Sequence, residues 1–87
     1  MIRNRNYFLN KIGDETILIP VGSEVIRLNG LLLLNRTAEF IWHKLENEVS
    51  QEEIVESIID KFEVSRQTAS EKVNEFLNQL KEKGMVS

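Results

Sequence analysis

The chain of 87 residues contains no cysteine. Disulfide scaffolds, zinc ribbons, iron–sulfur centres and thiol nucleophiles are therefore excluded from this sequence. It has a single histidine, His43, with Trp42 beside it and Glu39 one turn earlier. A general base needs positioned partners, and an i,i+4 carboxylate alone does not make a catalytic set. Gly13, Gly22, Gly30 and Gly84 are scattered and form no phosphate-binding loop. The longest uninterrupted aliphatic run, Leu31–Leu34, is far shorter than the ~20 apolar residues that cross a bilayer. The N-terminus "MIRNRNYFLN" lacks an apolar stretch of signal-peptide length. These absences predict a soluble, cytoplasmic, non-catalytic chain with no metal, no cofactor and no membrane partner.

What is present is ordinary globular material, 41% hydrophobic and 29% charged, at a length that suits one domain over 1–87. The net charge of -3 lies wholly in residues 50–87, since acids and bases balance in residues 1–49.

The first third reads as strands. "NYFLNKI" and "ETILIPV" flank Gly13-Asp14, a hairpin signal. Ile17, Ile19 and Val21 alternate onto one face, and Pro20 is expected at a strand end or facing an edge. The next stretch, "GSEVIRLNG", allows two readings. Asn29-Gly30 can turn a hairpin that pairs Glu24–Leu28 with Leu31–Leu34, or the segment crosses irregularly with Leu28 tucked inward. Leu31–Leu34 reads as a strand because it follows glycine and stops at a helix cap.

From Asn35 the hydrophobic period becomes helical. Asn35 is a suitable N-cap for a first helix carrying Ala38, Ile41, Trp42 and Leu45. Ser50 and Glu53 offer a reciprocal capping box. The helix that follows presents Ile54, Val55, Ile58, Ile59 and Phe62. Ser65 can cap a third helix with Ala69, Val73, Phe76, Leu77 and Leu80 inside, and Gly84 can end it before Met85-Val86 fold back. The order predicts an α+β domain, winged helix-turn-helix-like: a small antiparallel sheet of about three strands, then three helices.

Such a domain has two common uses. In a small winged-helix DNA-binding regulator, Arg66, Gln67 and Lys72 would read bases and phosphates. Glu71 and Glu75 would meet those same phosphates, and the second helix carries four acids against Lys61, so nucleic acid is not the expected partner. The other use is peptide capture on a sheet edge. Four consecutive leucines on a strand place apolar side chains on both faces. One face packs on the helices. The other is covered by the N-terminal hairpin or by a guest.

"LLLLNRTAEFIW", "EEIVESIIDKF", the ending "VNEFLNQLKEKGMV" and the upstream "ILIPVG" together resemble the PqqD family over most of the chain. The resemblance implies a three-stranded sheet and three helices in winged-helix arrangement. It also implies a recognition element for ribosomally made, post-translationally modified peptides. The partners it implies are a precursor's leader peptide and a modifying enzyme, often a radical S-adenosylmethionine enzyme. The leader adds as a strand beside the third strand, here Leu31, Leu32, Leu33 and Leu34. It rests against the third helix, at Thr68, Lys72, Phe76 and Gln79. Members that serve pyrroloquinoline quinone synthesis usually have a shorter path than "VGSEVIRLNG" between the second and third strands, which leaves the peptide product open.

Overall fold

The computed structural model describes residues 1–5, 7–20 and 32–86. The expected pairing of Glu24–Leu28 with Leu31–Leu34 lies outside the described residues. Three strands and three helices follow in order: β1 (Tyr7–Ile12), β2 (Glu15–Pro20), β3 (Leu32–Leu34), α1 (Arg36–Lys44), α2 (Gln51–Phe62) and α3 (Arg66–Glu82). This is the expected α+β arrangement. β2 is the central strand, antiparallel to both neighbours.

The β1–β2 hairpin closes through Gly13-Asp14, with Ile12 opposite Glu15. Gly13 takes φ +63, the left-handed value that a type II′ turn demands at its first central position. In a two-residue hairpin the closing pair exchanges ladder bonds, and the pairs then alternate. Ile12, Asn10 and Phe8 thus bond across to Glu15, Ile17 and Ile19. Pro20, opposite Tyr7, falls in a non-bonded pair, so its missing N–H costs that ladder nothing.

Side chains sort by the same alternation. Leu18 is fully buried in the core cluster with Leu34, and Thr16 on the same face is buried too. Ile17 is buried but lies outside that cluster, on the opposite face of the sheet. Phe8 and Ile12 share this outer face and are 48% and 60% exposed.

The helices begin where their caps predict. The Asn35 side chain accepts from the Ala38 N–H at 2.8 Å. The Ser50 hydroxyl accepts from the Glu53 N–H, and the Glu53 carboxylate accepts from the Ser50 N–H, both at 3.1 Å. That reciprocal bond holds the Glu53 carboxyl below its ordinary pKa. The Ser65 hydroxyl accepts from the Thr68 N–H at 3.2 Å. α2 stops at Glu63, a non-glycine residue in the left-handed region at φ 53. α3 stops in a Schellman turn: Gly84 at φ +69 donates to the Lys81 carbonyl, and Met85 donates to the Leu80 carbonyl at 2.8 Å. Met85 is fully buried, and its carbonyl accepts from the Asn4 N–H at 2.8 Å. The N-terminal arm is thereby tied to the end of α3, and Arg3 forms a bridge with Val86.

Trp42, Ile41, Leu45, Ile54, Ile58, Leu77 and Leu80 fill the centre, all essentially without exposure. The hairpin is joined to α1 through Glu39. Its carboxylate accepts from Thr16 Oγ1 at 3.3 Å and pairs with Lys11 Nζ at 3.3 Å and His43 Nε2 at 3.8 Å. Burial alone raises the Glu39 pKa, but Lys11, Thr16 and His43 together pull it below the ordinary value. No helix among the described residues is long and apolar enough to cross a membrane.

Candidate functional site

The alternation that sets the hairpin also fixes how β3 is used. Ile17 spends its ladder bonds on β1, so Thr16 and Leu18 turn theirs to β3. Their partners Leu34 and Leu32 point backbone groups inward at β2. Leu33 lies between them, so its N–H and C=O point out of the sheet. Among the described strands, nothing pairs with that side of β3. Among the described residues that donor and acceptor have no strand partner, the feature that templates an added strand.

A cavity of about 290 Å³ lies at the end of this strand. Asn35, the residue after Leu34, lines it with Thr37, Ala38 and Ile41 of α1. The facing wall is α3, through Lys72, Glu75, Phe76 and Gln79. Those four recur at helical spacing and share one face. Ile41, fully buried, and Phe76, 7% exposed, lie beneath the cavity in the protein's own core, so most of the accessible lining is polar. Lys72, Glu75 and Gln79 are exposed and form the α3 rim. Such a site offers a mostly polar surface, with one cation and one anion on its rim and amide groups at Asn35 and Gln79. Those features suit a peptide side chain. Among the described residues no cluster of His, Asp or Glu could hold a metal ion.

Three of the anticipated α3 residues, Lys72, Phe76 and Gln79, are thus brought together. Thr68 is half-buried one turn before Lys72, and its hydroxyl accepts from Ser65 Oγ at 3.0 Å; it does not line the cavity. Leu34 is buried in the protein's own core. Leu31 lies outside the described residues. Asn35, Thr37, Ala38, Ile41 and Glu75 are additional lining residues; the sequence assigned Asn35 to capping and Ala38 and Ile41 to the core, and placed neither Thr37 nor Glu75 in the groove. Their signal was the short "LNRTA" junction, where a strand edge meets a helix start.

Two of the three possible DNA-reading side chains are engaged elsewhere, while Lys72 stands exposed on the groove rim. Arg66 pairs with Glu52 and Glu56 of α2, which raises its pKa. The Gln67 amide donates to Glu71 at 3.3 Å. A guanidinium held by two carboxylates is a poor phosphate contact.

Fold and edge together define a small winged-helix-like domain with a groove beside its last strand. Residues 15–86 match the family model described as coenzyme PQQ synthesis protein D (PqqD), and the chain belongs to that family. Two solved structures are similar to it. One is TbiB1 in complex with the TbiA(beta) leader peptide, at 25% identity and TM-score 0.76, covering 100% of this chain and 95% of that one. The other is a lasso peptide synthetase B1 complexed with the leader peptide, at 22% identity and TM-score 0.72, covering 95% and 92% respectively. No match to this chain is found among the curated proteins.

Proposed function

We propose that this protein is a non-catalytic recognition element that captures the leader of a ribosomally made precursor peptide. The leader adds as a strand along β3 and lies against α3. The protein then presents the peptide to a modifying enzyme, of which a radical S-adenosylmethionine enzyme is the type the family resemblance favours. The observation that carries this reading is the meeting of two features: the outward backbone of Leu33, and the cavity that opens at Asn35 between α1 and α3. An extended guest gains main-chain bonds from the first and side-chain selection from the second. Membership in the PqqD family and the likeness to two leader-peptide complexes support it.

The test is a titration with a synthetic leader from a precursor peptide encoded beside this protein's gene. Lys72 lies on the exposed rim, so Lys72→Glu should weaken leader binding while shifting stability by no more than about 0.5 kcal/mol. Unchanged affinity would remove α3 from the groove wall.

A further inference from the structure

The side of α1 turned away from the groove is built differently. Arg36, Phe40 and His43 line a second depression of about 170 Å³ with Lys61 and Phe62 of α2. Phe40 and Phe62 meet edge to face, with ring centroids 5.6 Å apart, and both are half-buried. Lys44 Nζ lies 5.2 Å from the centre of the Phe40 ring. The only carboxylate in the lining, Glu39, is already held by Lys11, Thr16 and His43. Arg36 and Lys61 make no ion pair among the described residues. The result is a cationic ring around a partly open aromatic pair, on a chain whose net charge is -3.

The depression is smaller than the ~300 Å³ at which small-molecule sites begin. It has room for one apolar side chain, not for a cofactor. Aromatic and arginine anchors within a charged rim are the composition of a protein interface. The unpaired cations select the occupant by charge complementarity. We propose that this depression docks an acidic segment of the partner protein that receives the peptide. An apolar side chain of that segment sits on Phe40 and Phe62, and its carboxylates meet Arg36 and Lys61. This rests on the presentation role proposed above. Thr37, Ala38 and Ile41 line the groove while Arg36, Phe40 and His43 line the depression, so α1 separates the two sites by its thickness. Leader and partner can therefore be bound together.

The experiment uses isotope-labelled protein and a synthetic peptide in which leucine and phenylalanine are flanked by glutamates. A basic peptide of the same design and a short DNA duplex serve as comparisons. Saturable amide shifts at Arg36, Phe40, His43 and Lys61, with Lys72, Phe76 and Gln79 unmoved, are expected from the acidic peptide alone. Arg36→Glu combined with Lys61→Gln should weaken that binding by at least about tenfold and leave leader affinity intact. The variant should fold, because an acid at the first turn of α1 suits the helix dipole; a thermal melt checks this. Absence of saturable shifts, shifts confined to the groove, or tighter occupation of the same residues by DNA would each overturn the proposal. A leader that fails to move the groove amides, with the acidic-peptide response intact, would count against peptide capture and leave the docking surface standing.

Discussion

Trp42 is the largest fully buried side chain, and its indole N–H finds no hydrogen-bond partner among the described residues. The Arg3 guanidinium sits 5.4 Å from the centre of its ring and donates to its carbonyl, leaving that N–H unmet. An unsatisfied buried donor costs about 1–3 kcal/mol. Trp42→Phe removes that cost and opens a small void, so the two effects oppose. Chemical denaturation should place Trp42→Phe within about 1 kcal/mol of the parent, whereas Trp42→Ala should lose about 3–5 kcal/mol. Equal losses in both would mean that the indole N–H is hydrogen-bonded in solution. Trp42 was legible in the sequence as a core residue from its spacing with Ala38, Ile41 and Leu45. Its orphaned donor was not, because satisfaction depends on neighbours from distant segments.

Among the elements, those set by local chemistry were read correctly. Asn35, Ser50 and Ser65 each cap a helix because a side-chain oxygen reaches an N–H three residues on, a relation contained in four consecutive residues. Sheet pairing is non-local. A strand over Leu31–Leu34 was anticipated and Leu32–Leu34 forms one, but its place beside β2, and hence which leucine faces outward, followed only from the register. The groove residues of α1 were missed for a similar reason: one helix face serves core and cavity at once. The turn between α2 and α3 yields its own prediction. Glu63 holds a left-handed conformation that costs a non-glycine residue about 1–2 kcal/mol. Glycine removes this strain and forfeits about 0.5–1 kcal/mol of chain entropy. Glu63→Gly should therefore raise stability by about 0.5 kcal/mol, seen as a higher denaturation midpoint. A lower midpoint would mean that the Glu63 side chain contributes more than its backbone strain costs.

At the scale of the whole molecule, the hairpin and the helical part meet through Glu39, and α2 opens on the Ser50–Glu53 box. Both carboxyls have pKa values below the ordinary range in the folded state. A depressed folded pKa contributes stability that is present above the unfolded pKa and is lost as pH falls through the folded one. Stability should therefore decline below about pH 4.5, where unfolded carboxylates begin to take up protons. Glu39→Gln should flatten part of that decline in a series of melts across acidic pH. An unchanged profile would mean that Lys11, Thr16 and His43 do not hold this carboxylate in solution.

Strand addition to β3 is tested most directly through two adjacent backbone positions. Leu32 turns its N–H toward Leu18, and Leu33 turns its N–H to the edge that no described strand covers. Proline removes the N–H in either place. Leu32→Pro should damage the sheet and lower the melting temperature. Leu33→Pro should retain more of the fold yet bind the leader at least about tenfold more weakly, since the guest loses a main-chain bond and the ring obstructs the edge. Melting curves and leader titrations on both proteins supply the measurement. If Leu33→Pro kept parental leader affinity in a folded protein, β3 would not be the receiving strand.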